Sequence, residues 1–175
     1  STSIPVTLLS TPLCIDPKGN EGLNPQKTEP TNPLYSLDKQ QSSLVYYDKN
    51  TIVLTMPYWV KVTNSSVEDS EVKKHSFVLS YDPEAMTASD TKLKLYISHV
   101  VEDAGETVTR SNFTYAYRAY SIRAALAAFK EKTGKLPKYL ELTAEINNSK
   151  DELVDKDGKE TSVERSVEYD YAFTE

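Results

Sequence analysis

At 175 residues, with 38% apolar content and 12 Tyr, 4 Phe and 1 Trp, the chain has material for one domain with a real core, which excludes wholesale disorder. A formal net charge of −6 disfavours a nucleic-acid partner, because phosphate binding needs a concentrated positive field. The single cysteine, Cys14, excludes an intrachain disulfide, and no apolar run approaches the ~20 residues of a membrane helix. Beginning at Ser1 without a methionine, the chain reads as a processed product, and export is the expectation that follows.

Ile4 to Leu9 predicts one short strand. Asp16 to Pro33 then carries Pro17, Gly19, Gly22, Pro25, Pro30 and Pro33 among polar residues, which predicts a linker. The expected organisation is an extended segment over 1–33 and a β domain over 34–175. Ser43 to Tyr47 and Thr51 to Thr55 predict a hairpin around Asp48-Lys49-Asn50. Continued through Pro57 to Val62, the second strand places Ile52, Leu54, Met56, Tyr58 and Val60 on one face and Trp59 on the other. Pro57 marks an edge, a bulge or a break. Asn64 to Lys74 reads as a charged loop, and His75 to Tyr81 as a strand aligning Phe77, Leu79 and Tyr81.

Thr91 to Val100 alternates Leu93, Leu95, Ile97 and His99 against Lys92, Lys94, Tyr96 and Ser98, the pattern of a strand with one face on a core. It is predicted to pair with Asn112 to Tyr120 across the acidic connection Glu102 to Glu106. An amphipathic helix over about 122–133 follows. Ile122, Ala125, Leu126 and Phe129 share one face, Ser121 stands at the cap position, and Lys130 and Lys132 occupy the last turn. Gly134 suits a left-handed cap, with Pro137 behind it. Tyr139 to Asn147 and Val167 to Phe173 are the last two predicted strands, joined by the charged stretch 148–165.

Candidate chemistry is sparse. His99 shares its strand's apolar face and reads as a core or rim histidine; His75 sits at a strand entry. Neither has the cysteine spacing of a zinc site. Cys14 has no base near it in sequence and reads as a packing residue. The acids Asp151, Glu152, Asp155 and Asp157 fail as a calcium loop, because setting Gly158 at the sixth position puts Leu153 at the first. No phosphate loop, dinucleotide fingerprint or nucleophile elbow occurs. No cofactor and no metal is predicted. Trp59, with Tyr58 and Tyr96, is the candidate ligand- or partner-binding set, since exposed aromatics on a sheet stack on sugars or anchor proteins. The alternative places Trp59 under a loop.

The fold class expected is mainly β: an antiparallel two-sheet sandwich, immunoglobulin-like or similar, with one helix over an end. A calycin-like barrel gives overlapping strand signals. The run Tyr-Tyr-Asp-Lys-Asn-Thr-Ile-Val-Leu at 46 to 54, then His-Ser-Phe-Val-Leu-Ser-Tyr at 75 to 81, then the lysine-alternating strand, the short helix and the aromatic last strand, follow one another. In that order they resemble the C-terminal β-sandwich half of NigD-like proteins, small exported lipoproteins of gut Bacteroidota. The resemblance implies a cell-surface or outer-membrane setting and a non-enzymatic accessory or binding subunit. Its expected partners are subunits of a membrane-protein complex, such as a nutrient-uptake system. A carbohydrate-binding module is the alternative; it would bind glycan where the first reading allows a peptide or protein.

Overall fold

The structure, a computed structural model, describes residues 13–14, 16–17, 31–148 and 162–173. The strand expected at 4–9 and the acids at 151–157 lie outside them. Nine strands and two helices are described: β1 Leu13–Cys14, β2 Asp16–Pro17, β3 Ser43–Asp48, β4 Thr51–Val60, α1 Asp69–Val72, β5 His75–Tyr81, β6 Lys92–Val101, β7 Asn112–Ser121, α2 Arg123–Thr133, β8 Tyr139–Ile146 and β9 Val163–Asp170. They form two sheets, one ordered β1-β7-β4-β3 and the other β2-β5-β6-β8-β9. The two-sheet sandwich expected from the alternating strands is therefore the architecture observed.

Its connectivity departs from the sequence reading. β6 does not pair with β7. Its two edges are taken by β5, antiparallel, and β8, parallel. β7 instead lies against β4 over ten residues, from Thr51↔Ser121 to Val60↔Asn112. The connection between β6 and β7 is long enough to carry the chain across to the other sheet, and two amphipathic strands gain more by facing each other across a core than by pairing side by side. The parallel β6–β8 ladder follows, because the chain returns from β7 through α2. The two-residue strands β1 and β2 also pair in parallel, with β7 and β5.

The core is built from the faces that period-two alternation assigns. Ile52, Leu54, Met56, Tyr58 and Val60 come from β4; Phe77 and Leu79 from β5; Leu93, Leu95 and Ile97 from β6; Leu140, Leu142 and Ala144 from β8. Tyr169 packs against this cluster half-buried and Tyr171 is buried in it. The last strand runs Val163–Asp170, starting four residues and ending three residues earlier than its aromatic pattern predicts, because its ladder with β8 continues to Ile146↔Val163.

Pro57 interrupts nothing. Its carbonyl accepts the Tyr35 N–H at 3.0 Å, so its missing N–H falls on the side away from β7. There the β3–β4 ladder has already ended at Ser43↔Thr55. A residue's N–H and C=O share one side of a strand, and proline is tolerated where no ladder partner waits.

The two ends of the sandwich are closed differently. At one, α2 sets Ile122, Ala125, Leu126 and Phe129 into the core, each large apolar side chain contributing ~2–3 kcal/mol by burial. Gly134 ends the helix at φ 75°, its N–H bonded to the Lys130 carbonyl. Ser121 is not its cap. It belongs to β7, Ile122 holds the cap position, and no side chain caps the helix. At the other end, residues 31–35 cross from sheet to sheet. Asn32 N–H donates to the His99 carbonyl at 2.6 Å and Leu34 N–H to Glu145 at 2.9 Å, while the Leu34 carbonyl accepts from Asn147 N–H at 2.8 Å. Leu34 is wholly buried, so this strap is a component of the fold and the residues just before 34 pack with the domain.

Candidate functional site

Under the strap lies a buried polar chain that sequence order scatters over 78 positions. β5 and β6 pair Phe77 with His99 and bring His75 alongside, so that His75 Nδ1 is 2.8 Å from His99 Nε2. The far nitrogen of His99, Nδ1, faces the Pro33 carbonyl at 3.3 Å, and His75 Nε2 faces Glu71 Oε1 at 3.2 Å. Glu71 stands on α1, a one-turn helix inside the stretch expected to be loop. It accepts from Arg110 Nε at 2.7 Å and from the Lys61 N–H at 2.9 Å. Arg110 also grips Asp103 through two 2.7 Å bonds, and Lys74 reaches Asp103 at 3.4 Å. Tyr58 packs edge-on against both imidazoles, and Phe77 stacks on His99 at 4.9 Å.

Burial, the largest influence, pushes His99 down to about 3 and lowers His75 against the opposing pull of Glu71. Burial also pushes Glu71 up, but hydrogen bonds from Arg110, Lys61 and His75 outweigh it and hold the carboxyl below its ordinary range. At neutral pH the chain is two neutral imidazoles, a carboxylate, a guanidinium and a second carboxylate. Two neutral rings carry two N–H groups for three contacts. Assigning them from the network, the charged acceptor Glu71 takes the His75 Nε2–H. His99 Nε2–H then donates to His75 Nδ1, and the 3.3 Å contact to Pro33 is left without a proton. Each ring, carboxylate and guanidinium nitrogen or oxygen that could bind a ligand already faces another protein atom. The arrangement ties α1, β6 and the β6–β7 connection together, and the Asn32 N–H holds the strap to the His99 carbonyl.

The three aromatics predicted as a binding set are not brought together and are not exposed. Tyr58 points into the core. Trp59 is 3% exposed; its indole N–H donates to the Asn147 carbonyl at 2.6 Å, and Tyr35 lies edge-on to it at 5.0 Å. Tyr96 is buried on the outer face of the five-stranded sheet, at the floor of a cleft of about 230 Å³ flanked by Met86, Lys94, Thr143 and Glu164. The expected platform of Trp59, Tyr58 and Tyr96 is corrected by this: a large ring on a sheet gains more from cover than from water, and each found cover. For Trp59 the alternative, packing under neighbouring chain, holds.

A different aromatic row is exposed. β7 turns Phe113, Tyr115 and Tyr117 outward, 37%, 40% and 65% exposed. The register sets them beside Trp59, Pro57 and Thr55 of β4, and Val45 on β3 extends the same surface beyond Val53. Tyr35 stacks on Phe113 at 4.1 Å and closes the row at the strap end. Alternation alone leaves the sign of this strand ambiguous. Its opposite face, Thr114, Ala116, Arg118 and Tyr120, is the less apolar one, yet it faces in. The interior beside Met56 and Leu54 is already filled by large side chains, and Ala116 fits there where a second ring row would not. Aromatic rings kept on the outside of a sheet form the kind of surface that binds.

Among the described residues, no three His, Cys, Asp or Glu side chains are placed to hold a metal ion, and no helix is long and apolar enough to cross a membrane.

No family model matches the chain, and no curated protein matches it in sequence. Several solved structures are similar, among them the following two. An uncharacterized protein of Parabacteroides merdae superposes with TM-score 0.49 at 12% identity, over 92% of this chain and 67% of its own. A protein of Bacteroides fragilis, assigned as a lipoprotein, superposes with TM-score 0.73 at 27% identity, over 94% of this chain and 71% of its own. In both sequence and fold, this chain is similar to that Bacteroides lipoprotein.

Proposed function

We propose that the protein is an exported, membrane-held surface protein of the Bacteroidota that works as a non-enzymatic binding subunit of a larger cell-surface assembly, such as a nutrient-uptake system. Its ligand-engaging surface is the outer face of the four-stranded sheet. The observation that carries this is the row Phe113, Tyr115 and Tyr117, held on β7 by its ten-residue ladder with β4 and left exposed. An aromatic row costs solubility unless a ligand or partner covers it part of the time. Similarity to the Bacteroides fragilis protein supports the surface setting, the setting that the resemblance to NigD-like proteins implies. The buried histidine chain, with Glu71, Asp103 and Arg110 bonded to one another or to His75, supports a scaffold role over catalysis.

The purified chain, immobilised, is exposed to detergent-solubilised outer membrane and to extracellular polymer from cells that produce it. A retained component whose binding falls at least tenfold in the Tyr115→Ser, Tyr117→Ser double variant is the expected result. Equal retention by both proteins, or none by either, overturns the assignment of this face.

A further inference from the structure

The two outer faces of the sandwich are chemically opposite. On the five-stranded sheet the outward positions include a charged cluster beside Tyr96: Lys92 bridges Glu141 at 3.2 Å and Glu168 at 2.6 Å, and Lys94 and Glu164 stand near them. On the four-stranded sheet the outward positions of β4, from Thr51 to Trp59, and of β7, from Phe113 to Ser121, include no Asp, Glu, Lys, Arg or His. The chain has 46 charged side chains (20 Lys and Arg, 26 Asp and Glu) among its 175 residues, so the absence of charge from these positions of β4 and β7 is a local property and not a consequence of composition; Asp48 of β3, opposite Thr51, stands at their edge. Arg118, the one cation of β7, is turned inward over the Phe77 ring at 5.2 Å.

We infer that this face binds a neutral glycan, a reading that rests on its assignment as the ligand-engaging surface. A charged polymer would find no counter-charge here, and the net charge of −6 repels acidic polysaccharides in particular. A protein partner is ordinarily met by a polar and charged rim around an aromatic centre, whereas here the partly exposed positions flanking the row, Thr55 and Ser121, are uncharged hydroxyls, and β3 brings one charge to this rim, Asp48 opposite Thr51. Hydroxyls donate and accept, as sugar hydroxyls do, and the apolar C–H face of a sugar ring lies on an aromatic ring. Tyr115 supplies that ring and Tyr117 the next, ~7 Å along the strand; with Phe113 the row runs ~14 Å. That length suits an oligosaccharide chain better than one monosaccharide. Phe113 is fixed by Tyr35, and Tyr35 by Trp59, so one end of the row is ordered before any ligand arrives.

Native gel electrophoresis of the full chain through gels cast with single polysaccharides tests this, using a neutral β-glucan, xylan, mannan and starch, with polygalacturonate as the charged comparison. At least one neutral polymer is expected to retard the protein. Tyr115→Ser and Tyr117→Ser each weaken that retention tenfold or more, Tyr117→Trp keeps it, and Lys94→Ala on the opposite face leaves it unchanged. Equal thermal midpoints for wild type and both serine variants show that the fold is intact. Retardation by none of the neutral polymers, by polygalacturonate alone, or equally in both serine variants overturns the inference. So does sedimentation showing a dimer that Tyr117→Ser dissociates, since a second copy would then occupy the face. If the double variant still loses its retained component from outer membrane or polymer while no neutral glycan binds, the face remains the binding surface and only the glycan assignment fails. If both measurements are negative, both fail.

Discussion

His75 Nδ1 lies 2.8 Å from His99 Nε2, and that contact joins α1 and Arg110 to β6 where the Asn32 N–H of the strap is bonded to the His99 carbonyl. Both rings titrate below the ordinary value of 6.5, first because they are buried. Between the ordinary value and the folded one, the unfolded chain binds more protons than the folded chain. Stability therefore rises with pH across that interval; the contribution is complete above about pH 6.5 and is lost as pH falls. The thermal midpoint is expected to fall between about pH 6.5 and pH 5, above the range where ordinary carboxylates titrate. His99→Leu, measured by the same melts, is expected to flatten that slope while losing ~1–3 kcal/mol at neutral pH, because His75 Nδ1 is left without its partner. A slope unchanged by His99→Leu would remove the histidine pair as its source.

Glu71 faces Arg110 and His75 with 7% of its side chain exposed. Glu71→Gln removes the charge and keeps the shape. Breaking one side of a buried ion pair costs ~3–5 kcal/mol; Arg110 retains Asp103 through two bonds, so about 2–3 kcal/mol is expected here. Urea unfolding followed by circular dichroism measures it, and a loss under about 0.5 kcal/mol, the level of an ordinary surface change, would show that Asp103 alone suffices.

Trp59 is the chain's single tryptophan, so intrinsic fluorescence reports on one site. Buried and bonded to the Asn147 carbonyl, it is expected to emit at the blue end of the protein range and to resist quenching by iodide. Adding the glycan bound by the outer face should shift it little. A red, readily quenched emission in the folded protein would contradict its cover by Tyr35 and residue 147.

Three tyrosine hydroxyls clasp the open edges of the two sheets. Tyr46 donates to the Asp170 carbonyl at 2.8 Å, Tyr169 to Ser42 at 3.2 Å and Tyr171 to Lys49 at 2.8 Å. β3 and β9 are the outer strands of their sheets, and tying them across the sandwich limits fraying and edge-to-edge association. Tyr46→Phe is expected to cost ~1 kcal/mol, and Tyr117→Phe less than ~0.5 kcal/mol, read from denaturant midpoints.

Gly134 holds φ 75° at the end of α2 with open space around it. Gly134→Ala meets no clash, yet the left-handed backbone itself opposes a Cβ, and a loss of about 1 kcal/mol is expected in thermal or denaturant unfolding. No loss would mean that the last turn has rearranged.

The alternation of apolar and polar residues determined which faces of β4, β5, β6 and β8 are buried, because a strand's side chains can only go up or down and one face must leave water. The pattern at 122–129 and Gly134 likewise determined α2, since helix period and a left-handed stop are local properties. What residues do locally cannot say which strands pair. β6 and β7 were neighbours in sequence and ended in different sheets, a choice made by how two amphipathic faces enclose one core. Nor could the pattern orient β7, where the interior volume beside Met56 and Leu54 decided that Ala116 goes in and Tyr115 and Tyr117 stay out. Glu71 lies in a stretch that reads as a charged loop, and nothing local joins it to Arg110; folding brought the two 2.7 Å apart beneath the strap. Tertiary packing alone decided that Phe113, Tyr115 and Tyr117 stay exposed while Tyr58, Trp59 and Tyr96 are covered, because exposure is a property of what the rest of the chain leaves uncovered.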